Sequence, residues 1–302
     1  MCDATTRREF LGQTALIGAA VTGLRLAGGA IAAEAPATGP AKLAAQMPMI
    51  KIGDLRISRI ILGSNPFFGF SHGNPQAPGK VMKEYYTSQR IMAVMDEAAD
   101  YGINAVWTPH YAHWIKLWLE YKEKGGKLKY WIGQPDAGGG DENMRKAITD
   151  CAKNGAKAIC IQGVQIDAQF GKQQHDVVKG WLELIRSFNL PAGMASHKPD
   201  THLVAEEKKL PTDFYHQCLG VPEQYEGDFR ERPLATMRKI AKPVIGYKVL
   251  GAGRLKPAET FAHVFKSIKP IDGICVGMFP KDDADQIEEN VALTVALGKA
   301  TA

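Results

Sequence analysis

The sequence predicts a single (β/α)8 barrel over residues 49–302. Short apolar segments alternate with amphipathic segments through this stretch, and eight such pairs can be followed along the chain. Two glycines at positions typical of helix ends, Gly102 and Gly155, stand shortly before apolar segments. Regular alternation favours a parallel sheet covered by helices, and eight units of this kind close into a barrel of about 250 residues.

The eight apolar segments are short and rich in Ile, Val and Ala, as buried parallel strands are. The predicted strands are Arg59–Leu62, Ala105–Trp107, Tyr130–Ile132, Ala158–Ile161, Ala192–Met194, Asp213–Tyr215, Val244–Tyr247 and Gly273–Val276. Between them, apolar residues recur at helical spacing. The first predicted helix begins at Ser88 and ends before Gly102. The other predicted helices are His113–Lys124, Asn143–Lys153, Asp176–Phe188, Thr201–Lys208, Pro233–Ile240, Pro257–Ile268 and Asp283–Leu297.

The N-terminus has the pattern of an exported bacterial protein. Arg7 and Arg8 precede a weakly apolar run from Leu16 to Ile31, and small residues follow up to Ala35. The run is shorter than the ~20 apolar residues that a membrane-spanning helix needs. We therefore expect residues 1–35 to be a signal peptide for the twin-arginine translocase, residues 36–48 to be a flexible linker, and the mature protein to be periplasmic or extracellular.

Charge and cysteine content narrow the class of function. The net charge of +5 includes three arginines of the leader, Arg7, Arg8 and Arg25, and no basic cluster remains that would favour nucleic-acid binding. The cysteines beyond the leader lack the spacing of a metal site. We expect buried thiols at Cys151, Cys160, Cys218 and Cys275. A disulfide stays open as the alternative in an oxidising compartment.

In such barrels the active site lies in the loops that connect the carboxyl end of each strand to the next helix. Polar residues at these positions are therefore the candidate site residues. They are Asn65, His72, Thr108, His110, Tyr111, His113, Gln134, Asp136, Gln162, Gln165, Asp167, Ser196, His197, Asp200, His216, Gln217, Lys248, Arg254 and Lys281. An insertion from Ser71 to Tyr86 is either a lid over this face or a long surface loop.

Several segments of the domain resemble the aldo/keto reductase superfamily. The matching segments are Leu55–Gly63, Glu97–Asn104, Val244–Leu255, Gly273–Phe279 and Gln286–Asn290. The resemblance implies that the last two loops bind NADP(H), with one loop on the pyrophosphate and the other near the adenosine end. The cofactor-binding residues that it implies are Lys248, Gly251, Arg254, Gly277, Lys281, Gln286, Glu289 and Asn290.

The catalytic positions of that superfamily are altered in this chain. Trp107 stands at the aspartate position and Tyr111 falls one residue early. Gln134 and Gln162 stand where the lysine and the histidine are expected. Because the lysine lowers the pKa of the catalytic tyrosine, its loss removes the usual proton donor. The candidate catalytic residues are therefore His110, Tyr111, His197 and Lys248.

Lys248 ends an apolar strand, where an unpaired ammonium group is costly. It could bind a cofactor phosphate, form a Schiff base or act as a base. The alternative is a buried ion pair with Asp136, Asp167 or Asp213.

Three hypotheses of function follow. The first is an exported enzyme that acts on a small carbonyl or carbohydrate substrate and binds NADP(H) despite the altered catalytic residues. The second is a metal-dependent sugar isomerase, epimerase or lyase in which His110, His197 and His216 hold a divalent metal ion. The third is a non-catalytic binding protein that has kept the barrel.

Overall fold

The computed structural model describes residues 39–76, 78–220 and 230–299, and in them eight parallel strands form a closed barrel. The strands are β3 (Ile60–Gly63), β4 (Ala105–Pro109), β5 (Tyr130–Gln134), β6 (Ala158–Ile161), β7 (Ala192–Ser196), β8 (Phe214–Cys218), β9 (Val244–Tyr247) and β10 (Gly273–Gly277). Neighbours in the chain are neighbours in the sheet, and β10 closes the barrel by pairing with β3 from Ile274–Ile60 to Gly277–Gly63. The predicted (β/α)8 barrel is confirmed.

All eight predicted strands are present, and the differences lie at their ends. Six of them extend one to three residues further toward the carboxyl end than predicted, to Gly63, Pro109, Gln134, Ser196, Cys218 and Gly277. Ser196 therefore belongs to a strand and His197 is the first residue beyond it. The sheet itself therefore fixes the position of Ser196, which pairs with Gln217 of the next strand.

Helices cover the outside of the barrel. They are α1 (Pro40–Gln46), α2 (Gly79–Tyr85), α3 (Ser88–Asp100), α4 (Ala112–Glu123), α5 (Asp141–Lys153), α6 (Gly163–Gly171), α7 (His175–Ser187), α8 (Pro199–Glu207), α9 (Glu231–Lys239), α10 (Pro257–Ser267) and α11 (Gln286–Leu297), with a 3-10 turn at Asn65–Phe68. The predicted helices are confirmed with small shifts at their ends. No described helix is long and apolar enough to cross a membrane.

The expected linker is in part a helix. Residues 1–38, which include the predicted leader, lie outside the described residues, but α1 falls within the segment 36–48. Leu43 and Met47 are buried there, and α1 packs against α3 and α11. Residues 40–46 are therefore part of the domain, because apolar burial fixes them, and the prediction of a flexible linker is wrong over this range.

A hairpin covers the amino-terminal end of the barrel. Its strands, β1 (Met49–Ile52) and β2 (Leu55–Ser58), are antiparallel, and Ile52 and Ile57 are fully buried in the same core cluster as the barrel interior. Leu55–Ser58 is thus a separate strand from β3. With this end covered, the opposite end is the one that can receive a ligand.

The four cysteines within the described residues are buried thiols that form no disulfide with one another, as expected. Burial raises the pKa of Cys160 and Cys275 above the ordinary value of a thiol. Both are therefore small core residues of the barrel rather than nucleophiles.

Candidate active site

A cavity of about 790 Å³ opens at the carboxyl ends of the barrel strands. It lies within the roughly 300–1,000 Å³ that is usual for small-molecule sites. Its wall includes Trp107, Tyr111 and His197 together with Lys248 and Asn290. The cavity therefore joins the candidate catalytic residues to several of the residues that the resemblance assigns to a cofactor.

His197 is held by Asp167, which belongs to α6. The imidazole Nδ1 lies 2.9 Å from Asp167 Oδ2, and the backbone N–H of His197 donates to the same oxygen at 3.1 Å. Ser196 Oγ donates to the other carboxylate oxygen. Burial raises the pKa of Asp167, but the hydrogen bonds from His197 and Ser196 outweigh it and leave the pKa lowered. The ionised carboxylate therefore favours the imidazole tautomer that carries its hydrogen on Nδ1.

Gly163 makes room for this pair. A Cβ at this position would lie 3.1 Å from His197 Nδ1 and 3.1 Å from the Tyr247 hydroxyl oxygen. That hydroxyl donates to the carbonyl oxygen of Ser196 at 3.1 Å. Gly163, His197 and Tyr247 thus pack as one unit at the cavity wall, and His197 Nε2 makes no hydrogen bond to any described residue.

The four positions that correspond to the reductase catalytic residues meet at the cavity. Trp107, Tyr111, Gln134 and Gln162 all line it. Burial, and after it the carboxylate of Asp136, raises the pKa of Tyr111 to about 12. The Tyr111 hydroxyl is therefore protonated at neutral pH, where it can donate a hydrogen bond but is a weak acid.

His110 lies beside this cluster. Its Nδ1 is 3.0 Å from Asp136 Oδ1, yet the two groups are not aligned as a hydrogen bond. His110 is absent from the described residues that line the cavity. The structure thus places His110 next to Asp136, the carboxylate that also raises the pKa of Tyr111.

His216 lies in the barrel interior, and it is not among the described residues that line the cavity with His197. It is fully buried in β8, its ring centroid is 4.1 Å from that of Trp107, and neither ring nitrogen has a hydrogen-bond partner in the described part of the chain. Burial, and then the charge of His202, lowers its pKa to about 3. Its side chain lies on the same face of the strand as those of Phe214 and Cys218, which belong to the core cluster of the barrel.

The expected metal site is therefore not assembled. His110 is next to Asp136, His197 is hydrogen-bonded to Asp167, and His216 is in the core. Within the described ranges, no three His, Cys, Asp or Glu side chains are grouped so that they could hold a metal ion.

Lys248 follows β9 directly and lines the cavity in a left-handed backbone conformation, with φ of 57°. It is half-buried and makes no ion pair with any described carboxylate. Of its expected partners, Asp167 pairs with His197 and Asp213 pairs with Arg186 at 2.6 Å. The alternative of a buried ion pair for Lys248 is thus wrong.

The insertion after β3 lies against the loop after β9. The Arg254 guanidinium donates to the carbonyl oxygen of His72 at 2.9 Å, and Asn74 Nδ2 donates to the carbonyl oxygen of Ala252 at 2.9 Å. The ring of His72 is partly open to solvent. Desolvation, and then the charges of Lys248, Arg254 and His197, lower its pKa. These contacts favour the lid interpretation over that of a loose surface loop.

The loop after β10 forms the far end of the cavity. Gly277, Gln286, Glu289 and Asn290 line it, as does Asp283, which the sequence analysis did not single out. Gln286 Oε1 accepts a hydrogen bond from the backbone N–H of Phe279 at 2.5 Å. Asn290 is 1% exposed and its Oδ1 has no partner among the described atoms.

Three of the implied cofactor residues lie off the cavity wall. Lys281 pairs with Asp282 at 2.8 Å, and neither Gly251 nor Arg254 is among the described lining residues. Arg254 instead donates to the carbonyl oxygens of Gly251 and His72.

Comparison with known proteins adds support for the fold. No protein-family model and no curated protein matches the chain. Two structures of proposed aldo-keto reductases from Pseudomonas aeruginosa do match: one has a TM-score of 0.58 at 16% identity, over 83% of this chain and 96% of that one. The other has a TM-score of 0.57 at 15% identity, over 82% and 94% of the two chains.

A third match comes from a different kind of enzyme. A truncated 3-deoxy-D-arabino-heptulosonate 7-phosphate synthase from Thermotoga maritima has a TM-score of 0.52 at 14% identity, over 86% of this chain and 98% of that one. Since such low identities carry no information about substrate, these comparisons show the barrel fold alone.

Proposed function

We propose that this protein is an exported oxidoreductase that acts on a small carbonyl or carbohydrate substrate and uses His197 as its acid–base group. The observation that carries the proposal is a single cavity. It is lined both by His197 and Tyr111 and by Lys248, Gln286 and Asn290. A site of this size can hold a small substrate beside an extended cofactor.

The donor set suits a nicotinamide dinucleotide, the group that the resemblance implies. Lys248 offers an ammonium without a carboxylate partner in the described chain, which suits a phosphate. Asn290 offers a buried acceptor, its Oδ1, that has no hydrogen-bond partner among the described residues, and this suits a hydroxyl or amino donor. When bound, the dinucleotide would supply or accept hydride.

His197 is suited to moving a proton at Nε2. Asp167 accepts a hydrogen bond from Nδ1 and stabilises the charged imidazolium, so Nε2 can give or take a proton without the ring turning. Tyr111, with its pKa raised to about 12, would turn its hydroxyl hydrogen from Asp136 to the same substrate oxygen. His197 thus takes over the role that the altered tyrosine and lysine positions no longer support.

The test begins with the protein purified from its own host and analysed by native mass spectrometry. A bound dinucleotide is the expected result, followed by dinucleotide-linked turnover on a panel of aldehydes and aldoses. The variant His197→Asn should keep dinucleotide binding and lose turnover by roughly 10²–10⁴-fold, the usual contribution of a general acid–base group. Undiminished turnover in this variant would remove His197 from the mechanism.

Export is tested separately from the chemistry. Changing Arg7 and Arg8 together to lysine should retain the protein in the cytoplasm, while Arg25→Lys, in the same leader, should leave export intact. Cell fractionation in the native host measures the result, and normal export of the double variant would contradict the twin-arginine assignment.

A further inference from the structure

We infer that the far end of the cavity selects a dinucleotide that lacks a 2′-phosphate, so that the cofactor is NAD(H) rather than NADP(H). The inference rests on the proposed function, because it assumes that a dinucleotide occupies the cavity. It names a property of this chain that the resemblance does not imply, and it depends on the charges of the loop between β10 and α11.

That loop and the first turn of α11 are strongly acidic. Residues 281–290 contain five carboxylates and one ammonium group. Asp283 is exposed and lines the cavity, and Glu289 lines it as well. The ammonium group, that of Lys281, lies 2.8 Å from Asp282 and so is already paired.

The amino-terminal end of α11 does not offer an open anion site either. A helix N-terminus attracts phosphate through its free N–H groups and its dipole. Here the first turn carries Glu288 and Glu289, which already offset that positive field. Gln286, at the start of the helix, is neutral, and its side-chain oxygen is engaged by the N–H of Phe279.

The cation on the neighbouring helix is turned away from the cavity. The guanidinium of Arg90 stacks on the ring of Tyr85 at 5.1 Å, and that ring packs on Phe279, which is the group that lines the cavity. Arg90 is not among the described lining residues. Among the described residues that line the cavity, Asp283 and Glu289 carry carboxylates at this end and Lys248 is the one lysine or arginine, so a phosphate here would face carboxylates.

A ribose with both hydroxyls free has the opposite chemistry. Its hydroxyl hydrogens can be donated to carboxylate oxygens, which is how acidic residues hold the ribose of NAD in other dinucleotide sites. Asn290 Oδ1, buried and without a partner in the described chain, adds a further acceptor on the same wall. A 2′-phosphate carries about −1.5 to −2 charges at neutral pH, so it would replace these favourable contacts with repulsion.

The test is isothermal titration calorimetry of the full protein with NADH and with NADPH, at low and at high salt. We expect NADH to bind at least about tenfold more tightly at low salt, with the ratio falling as salt screens the carboxylates. The variant Asp283→Asn, at an exposed position, and the double variant with Glu289→Gln should narrow the ratio, chiefly by strengthening NADPH binding.

A charge-matched control is the double variant Asp54→Asn with Glu207→Gln. Asp54 is in the turn of the hairpin at the opposite end of the barrel and Glu207 ends α8, and both are exposed. This control should leave the NADH to NADPH ratio unchanged. NADPH binding as tightly as NADH, or more tightly, would overturn the inference and leave the dinucleotide proposal standing. Binding of neither nucleotide would overturn both.

Discussion

Asp167 accepts two hydrogen bonds from His197, one from the ring Nδ1 and one from the backbone N–H. The two residues come from different elements, α6 and the end of β7, so tertiary packing creates the pair. A carboxylate that fixes both the backbone and the ring of a histidine determines which ring nitrogen is left for chemistry. Here that nitrogen is Nε2, at the cavity wall.

The variant Asp167→Asn should lower turnover by roughly 10²-fold or more while the cavity still binds a dinucleotide. An amide cannot stabilise the imidazolium, and it can favour the wrong tautomer of His197. Turnover and dinucleotide affinity are to be measured together on the wild type and the variant. A loss confined to affinity, with turnover of the saturated enzyme unchanged, would contradict this role for Asp167.

Gly163→Ala should disturb the hydrogen-bonded pair of His197 and Asp167 by crowding the His197 ring. Its Cβ would lie 3.1 Å from His197 Nδ1 and from the Tyr247 hydroxyl, so the ring must shift by a few tenths of an ångström. We expect a stability loss of about 1–3 kcal/mol from overpacking, with a fall in turnover. Chemical denaturation and kinetics measure the two effects.

Gly171→Ala is the matched control for this change. It lies in the same helix, and a Cβ there would meet nothing within 4 Å. It should be neutral or stabilise by about 0.5–1 kcal/mol, because alanine loses less backbone entropy than glycine on folding. Equal effects of the two substitutions would show that the packing around His197 is unimportant.

Lys248→Met should weaken dinucleotide binding about tenfold or more, since it removes an ammonium group that has no carboxylate partner among the described residues. Lys256→Met is the control, because Lys256 is exposed and lies 3.7 Å from Glu259. Calorimetry with NADH measures both variants.

A different outcome would assign Lys248 to the chemistry instead. If affinity is unchanged, but borohydride reduction in the presence of a small aldose attaches the sugar to Lys248, the residue forms a Schiff base with the substrate. Peptide mass mapping of the wild type distinguishes this outcome, and Lys248→Met is its negative control.

The barrel could be predicted because its strands carry a strong local signal. Apolar segments such as Ala158–Ile161 and Val244–Tyr247 have the same bounds in the sequence prediction and in the structure. The helix α6 was missed, because it begins and ends with glycine and carries Val164 exposed on its surface. With α6 missed, the role of Asp167 could not be predicted, although its position after β6 was noted.

The predicted metal site failed for a related reason. The sequence places His216 near the end of a strand, but the period of two along β8 puts it on the same face as Phe214 and Cys218, which pack in the barrel interior. The alternation of side chains along β8 was the sequence pattern from which the burial of His216 could have been predicted. By contrast, the cavity position of His197, Tyr111 and Lys248 followed from a simple rule, that chemistry in these barrels lies just beyond the strands.

His216→Leu should change how stability depends on pH while leaving stability at pH 7 equal or higher. Burial lowers the pKa of His216 to about 3, well below the ordinary value near 6.5, so the unfolded state binds a proton that the folded state does not. Stability is therefore full above about pH 6.5 and falls as the pH decreases toward 3, by up to about 1.4 kcal/mol per pH unit. Leucine removes this dependence, and it also removes two buried ring nitrogens for which the described residues provide no hydrogen-bond partner.

Urea denaturation between pH 7 and pH 4.5 measures the effect, with His263→Gln, at an exposed position, as the control. The wild type and the control should lose stability in parallel, while the slope for His216→Leu should be shallower because one buried histidine no longer takes up a proton on unfolding. The buried His202, whose pKa burial lowers to about 4, leaves a residual slope in every variant. If His216→Leu and the wild type have the same slope, the ring of His216 must be able to bind a proton in the folded protein, and its place in the closed core of the barrel would be wrong.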